Sequence, residues 1–265
     1  MLIAHLSDPH LRPKGQLYQG LIDSNALFDQ AIDTLLALDP QPDIVIIGGD
    51  LVDEGTAAEY ETVQTALSRL PQPVYAIPGN HDAPDAFRLS FHAAPYIASS
   101  GPLHFDTGTD WPVRVIGFDV TVPGDHHGDI DDTRLDWLAQ RLAEHSDRPT
   151  LLLMHQPPID SGMAYIDAYK CQNGGRLAEL LFQHRNIERV LCGHIHRAMQ
   201  ARFGGSLLMT APSTATAIAL RLHPDAEPAS VSEPPGLLLH YQQPGQPLLT
   251  HWLPIGTFPG PLPFF

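Results

Sequence analysis

The first 200 residues alternate between short apolar runs and helical patterns. The apolar runs are LIAHLS (2–7), DIVIIGG (43–49), PVYAIP (73–78), VRVIGF (113–118), TLLLM (150–154) and RVLCG (189–193). Their near-continuous apolar character predicts strands buried on both faces. Helical patterns fall at about 24–38, 56–69, 84–92, 132–145 and 174–184. Thr56-Ala-Ala-Glu59 reads as a capping box opening the second of these. Such alternation predicts an α/β fold with largely parallel pairing. After residue 197 the pattern changes to strand-like runs at 206–211, 216–222, 236–241 and 248–253, read as antiparallel strands that close the fold. We therefore expect a catalytic domain over 1–223. Residues 224–265 carry ten of the 26 prolines and should form strands and tail that complete the fold or serve an oligomer interface.

Two long connections interrupt this rhythm, 119–131 (DVTVPGDHHGDID) and 156–175 (QPPIDSGMAYIDAYKCQNGG). Long loops in compact domains are often functional. The second follows His155 directly, so it should shape a pocket, with Met163, Tyr165 and Tyr169 as apolar walls, or else pack those side chains into an oligomer interface.

Composition narrows the partners. The formal net charge is -15, and Lys14 and Lys170 are the only lysines. Duplex nucleic-acid binders usually show a basic face, and no basic cluster occurs here. The same balance argues against an anionic membrane surface, and no apolar run approaches the ~20 residues of a membrane span. The opening MLIAHLSDPH has no basic n-region and is not expected to act as a signal peptide. Two cysteines, Cys171 and Cys192, make a disulfide framework unexpected and suit a reducing cytoplasm.

The chemistry lies where the apolar runs stop. They are followed by Asp8-Pro-His10, by Asp50, by Asn80-His81-Asp82, by His155, and by His194-Ile-His196. Each item alone is ordinary: a turn, a helix cap or a rim histidine. Together they form a pattern, because carboxyl ends of parallel strands share one sheet edge, where ligands bind. The set offers imidazoles, carboxylates and one amide oxygen, with no thiolate. Mixed nitrogen and oxygen donors suit two divalent transition-metal ions, of Mn, Fe, Co or Zn. A pair of metals needs a bridging ligand, and Asp50 is the central candidate.

Asp8-x-His10, Gly49-Asp50, Gly79-Asn80-His81-Asp82, His155 and Gly193-His194-x-His196 resemble, in order and spacing, the signature of calcineurin-like metallophosphoesterases. Within that superfamily the chain is most similar to bacterial glycerophosphodiesterases and class III cyclic-nucleotide phosphodiesterases. The resemblance implies a four-layer αββα sandwich of two mixed sheets and a dinuclear centre. It implies that Asp8, His10, Asp50 and His196 hold one metal. Asp50, Asn80, His155 and His194 would hold the other. His81 would stand free of metal beside the leaving group, contacting substrate with Asn80, and Asp82 would orient it or cap a helix. Arg12 and Arg197 could touch phosphate; the plainer reading is exposed surface arginine. The implied reaction is metal-hydroxide attack on phosphorus in small diesters, by a cytoplasmic homo-oligomer. A phosphomonoesterase, a nuclease or a non-catalytic binding module on the same scaffold are the alternatives. Two departures stand out: Gln156 replaces a histidine that relatives often carry, and the "PST" stretch continues Ala215-Thr216-Ala217 without a further histidine.

Overall fold

The computed structural model describes residues 1–264. In chain order the elements are β1 Leu2–Leu6, α1 Ser24–Leu36, β2 Ile44–Ile47, α2 Ala57–Leu67, β3 Val74–Ala76, α3 Pro84–Ser90, β4 Phe105–Asp106, β5 Arg114–Gly117, β6 Gly128–Asp129 and α4 Asp132–Glu144. There follow β7 Thr150–Leu153, α5 Ala164–Asp167, β8 Cys171–Gln172, α6 Gly174–Phe182, β9 Ile187–Cys192, β10 Met199–Phe203, β11 Ser206–Thr210, β12 Ala217–Ile218, β13 Ser230–Val231, β14 Gly236–Tyr241 and β15 Leu249–Pro254.

The strands form two main mixed sheets. One runs β15-β14-β1-β2-β3, with β1, β2 and β3 parallel. The other runs β10-β11-β9-β7-β5-β4, parallel through its four central strands. Side chains alternate across each strand and divide between two cores. In β2, Val45 and Ile47 pack under α1 and α2 with Phe28, Ile32 and Tyr60, whereas Ile44 and Ile46 face the other sheet. In β7, Leu152 packs under α4 and α6 with Leu138 and Leu177, whereas Leu151 and Leu153 meet Ile44 and Ile46 between the sheets. The layers are helix, sheet, sheet, helix, and burial on both faces explains why the strands read as continuous apolar runs.

The capping box forms as expected. The Thr56 N–H donates to Glu59 Oε2 at 2.9 Å. The C-terminal region departs from expectation in two respects. β11 runs parallel to β9 and only its partner β10 is antiparallel to it, while β14 pairs antiparallel with both β1 and β15. The strand expected at 216–222 shrinks to β12, a two-residue ladder against β13. Among the described residues, no helix is long and apolar enough to cross a membrane.

Candidate metal centre

The parallel strands of both sheets end on one side, and their ends carry the polar residues singled out above. Asp8 and His10 follow β1, Asp50 follows β2, and Asn80 and His81 follow β3. From the second sheet come His155 after β7, and His194 and His196 after β9. Five of these residues turn the chain sharply: Asp8, His10, Asp50, His194 and His196 have φ between 44° and 66°. Non-glycine residues in that region carry strain, which clusters at functional sites. Two glycines make the crowding possible. A Cβ on Gly79 would lie 2.2 Å from Asp50 Oδ1, and one on Gly193 would lie 2.2 Å from Ser7 Oγ and 2.7 Å from Asp8 Oδ2.

The side chains gather into two adjoining groups, Asp8–His10–Asp50–His196 and Asp50–His155–His194, each with ligand atoms within 4.8 Å of one another. Asp50 belongs to both. His155 Nε2 lies 3.2 Å from Asp50 Oδ2, His196 Nε2 lies 3.4 Å from Asp8 Oδ1, and His10 Nε2 approaches His196 Nε2 to 3.1 Å. The outer ring nitrogens are tied to backbone carbonyls. His155 Nδ1 donates to Gly48 at 2.7 Å and His196 Nδ1 to Thr216 at 2.8 Å. That leaves their Nε2 lone pairs directed inward, the usual support of a metal-binding imidazole. His155 Nε2, His194 Nε2 and Asn80 Oδ1 are buried without a hydrogen-bond partner. Buried polar atoms are normally satisfied, and lone pairs stranded around carboxylates are what a bound cation would use. The donor set therefore fits two divalent transition metals.

Electrostatics point the same way. Burial alone would push the Asp50 carboxyl up, but His155, His81 and His10 hold it well below the usual range. Burial works against the charged form of His155, yet Asp50 and Asp8 lift it to about 9. Burial and the neighbouring His155 drive His194 down. The Asp50 carboxyl is thus held ionised and the His194 imidazole neutral, the forms a cation needs.

His81 sits beside this cluster, partly open to solvent. Its N–H donates to Asp50 Oδ1 at 2.9 Å, and its Nδ1 donates to the Asp53 carbonyl at 2.8 Å. Asp53 Oδ1 lies 3.6 Å from the same nitrogen and 3.8 Å from His10 Nδ1. Asp53 is therefore the acid that steadies His81. Asp82 neither reaches that ring nor caps α3, whose N-cap is Ala83. Its buried carboxylate accepts from the Gly79 N–H at 2.8 Å, the Leu51 N–H at 3.1 Å and the Tyr60 hydroxyl at 2.8 Å. Asn80 turns its amide nitrogen to His126 Nδ1 at 3.1 Å, which leaves Oδ1 facing the cluster.

Neither arginine lines the open side. Arg12 is mostly buried and bonded to Asp53 at 2.9 Å, Glu59 at 2.8 Å and Glu54 at 3.0 Å. Arg197 pairs with Glu233 at 2.9 Å and donates to the Ile218 carbonyl at 2.7 Å. Above the cluster opens a cavity of about 560 Å³, reached by His10, Asp50, Asn80, His81, His194 and His196 and walled by Tyr18, His126, Tyr165 and Tyr169 among others. The 156–175 loop thus supplies Tyr165 and Tyr169, whereas Met163 is buried. Asp53, His126 and Tyr18 were not marked by the sequence reading. Tyr18 lies stacked on the His10 ring at a centroid distance of 4.7 Å. The one available signal was Asp53, three residues past Asp50 on the same turn.

The calcineurin-like phosphoesterase family matches residues 1–198. The chain is 35% identical over 266 residues to a probable glycerophosphodiester phosphodiesterase of Arcobacter nitrofigilis, covering 100% of this chain and 97% of the relative. It is 30% identical to a glycerophosphodiester phosphodiesterase of Enterobacter lignolyticus, covering 98% and 94%. It is 27% identical to a 3',5'-cyclic adenosine monophosphate phosphodiesterase of Escherichia coli K12, covering 80% and 75%. Among solved structures, a dimetal phosphatase from Danio rerio shares the fold, with a TM-score of 0.66, 14% identity and coverage of 94% and 98%.

Proposed function

The chain belongs to the calcineurin-like phosphoesterase family, and on that premise we propose that it is a metal-dependent phosphodiesterase for small diesters. One observation carries the reading: two ligand groups share Asp50 and open onto a cavity that His81 also lines. We assign Asp8, His10, Asp50 and His196 to one metal, and Asp50, Asn80, His155 and His194 to the other. Bound there, the ions supply Lewis-acid activation of the phosphate and of a water nucleophile.

The chain's own groups do the rest. The Asp53 carbonyl fixes the tautomer of His81 with the proton on Nδ1. With a second proton on Nε2 the ring acts as the acid, and its Nδ1 side faces the Asp53 carboxylate 3.6 Å away. That proton is placed for the departing alkoxide, as general acid. Arg12, locked between Asp53 and Glu59, holds Asp53 in position. The His126 contact orients Asn80 so that its oxygen, and not its amide nitrogen, meets the site.

The preference for diesters over monoesters rests on charge. A monoester dianion rewards cationic clamps beyond the metals. Phosphatases of this superfamily place an arginine where this chain has Glu54, whose exposed carboxylate is turned to Arg12. Donor chemistry favours Mn, Fe, Co or Zn. We also read residues 1–223 as the catalytic unit, completed by β14 beside β1. Two free, buried cysteines support a cytoplasmic protein, and exposed Leu220 and Leu222 support a homo-oligomer. The test is kcat/KM for a bis-aryl phosphate against the matching aryl monoester, with metal content measured on the same samples. We expect two metals, diester preference, and loss of both metal retention and turnover in Asp50→Ala. Faster monoester turnover would move the assignment to a phosphomonoesterase, and near-normal turnover without metal would end the metal reading.

A further inference from the structure

The cavity has an inner part, made by the metal residues, and an outer part that the reaction does not require. The outer wall is built from Tyr18, Leu21, Tyr165, Ile166, Ile218 and Ser230. Among the described residues lining the whole cavity, none is lysine or arginine, and the only carboxylate is Asp50 at its floor. The two cations whose fields reach Tyr165 are Arg197 and Arg221. Neither lines the cavity. Arg197 is neutralised by Glu233 at 2.9 Å, and Arg221 donates to the Glu227 carbonyl at 3.0 Å. Lys170 is tied to Asp160 at 2.5 Å.

A phosphodiester has two arms. One leaves, and the other stays on the phosphate. Both must lie somewhere above the metal residues, and a cavity of about 560 Å³ has room for one compact arm beyond the phosphate. An anionic group in the outer part would give up hydration and find no lysine or arginine in the wall, while the metal positions and His81 at the floor are taken up by the phosphate, a net cost. The chain's charge of -15 adds long-range repulsion. An uncharged arm meets aromatic and aliphatic walls with hydroxyls at Tyr165 and Ser230 for occasional hydrogen bonds. A cationic arm is compatible with tyrosine faces.

We propose, resting on the phosphodiesterase reading above, that the outer wall selects substrates by the charge of the arm. It accepts diesters whose only negative charge is the phosphate, with a compact neutral or cationic arm, and rejects diesters whose arm carries a second anion. This would exclude diesters whose arm bears an extra phosphate or a carboxylate.

The experiment uses three p-nitrophenyl phosphodiesters on the metal-loaded enzyme. Their second arms are 3,3-dimethylbutyl, 2-(trimethylammonio)ethyl and 3-carboxypropyl: neutral, cationic and anionic at similar size. In parallel, calorimetry measures binding of the three corresponding methylphosphonate monoesters, which keep the single anionic head. We expect the anionic arm to fall roughly tenfold or more below the neutral one in both kcat/KM and affinity, since an unpaired charge goes uncompensated. Ser230→Arg, at an exposed position of the β12–β13 ladder, should raise the anionic-to-neutral ratio about tenfold. Ile218→Lys is the second variant should the first fold poorly, with circular dichroism as the folding control. Equal rates and affinities for all three arms would overturn the proposal while leaving the phosphodiesterase reading intact. Good turnover of the anionic arm that disappears in Arg221→Ala would also overturn it, by showing that Arg221 reaches in. The expected affinity ranking without turnover of any ester would uphold the wall and discard the hydrolase reading.

Discussion

Asp82→Ala tests how the ligand loops are held. In the native protein one buried carboxylate ties three donors: the Gly79 and Leu51 N–H groups and the Tyr60 hydroxyl. Those two amides flank Asn80 and Asp50, so Asp82 is a clasp between the β2 and β3 turns. Truncation strands both amides, while the Tyr60 hydroxyl is free to rotate. A stranded buried donor costs ~1–3 kcal/mol. Against this, burial and the neighbouring Asp50 push the Asp82 carboxyl up to about 6, so its removal relieves some repulsion. The net expected loss is about 3 kcal/mol, near the lower end of two such donors. With a urea slope of ~3 kcal/mol/M, this moves the midpoint by about 1 M. Asp82→Asn keeps an oxygen for the amides and an NH₂ for the tyrosine oxygen, and should stay within ~1 kcal/mol of wild type. The assay is urea unfolding of metal-free protein followed by tryptophan fluorescence, with metal affinity of the folded variants measured separately. Equal midpoints for the alanine variant and wild type, at equal slope, would mean that water satisfies those amides and that no clasp exists.

His81→Ala should slow diesters with an alkoxide leaving group ~10²–10⁴-fold and nitrophenolate esters far less, because acid help matters most for a basic leaving oxygen; equal losses would reduce His81 to a positioning role. His5 is fully buried and its imidazole is lowered to about 3 by desolvation, with His240 beside it at a ring distance of 5.7 Å. The folded state then binds fewer protons than the unfolded one, so this contribution is complete above about pH 6.5 and is lost on acidification towards pH 3. His5→Leu should flatten the fall in stability, sparing about 2 kcal/mol at pH 5, and denaturation curves of equal acid slope in both proteins would refute the assignment.

The parallel strands were legible because burial on both faces leaves an unbroken apolar run, and Ile44–Ile47 could hardly be read otherwise. Their chemistry was legible for a related reason: Asp8, Asp50 and His155 each follow such a run directly. What could not be read depended on distant partners. Arg12 read as an exposed surface arginine that could touch phosphate, yet it is mostly buried and the acids that claim it are 41 to 47 residues away, across α1 and β2. Asp82 looked like an acid for His81, its neighbour, but a carboxylate one residue along the turn faces inward and Asp53 takes the task. His126 lies in a loop without periodicity, so nothing in the local pattern marked its approach to Asn80. β4, β6 and β8 are two residues each, too short to leave a period in the sequence.

The division of the ligand set between the sheets has a mechanical consequence. Asp8, His10, Asp50 and Asn80 ride on one sheet; His155, His194 and His196 ride on the other. Between them the two sheets meet through the Ile3–Ile44–Ile46 and Leu151–Leu153–Leu191 contact, which has no direction, and through hydrogen bonds at the site edge such as His155 Nδ1 to the Gly48 carbonyl. Cations held by Asp50 and His155 together, as proposed above, would act as rivets through both plates. Slippage of one sheet over the other then breaks coordination, and the metals add their binding free energy to the resistance against slip in proportion to the logarithm of their concentration. Amide exchange in the buried strands β2 and β7 would become a gauge of metal occupancy.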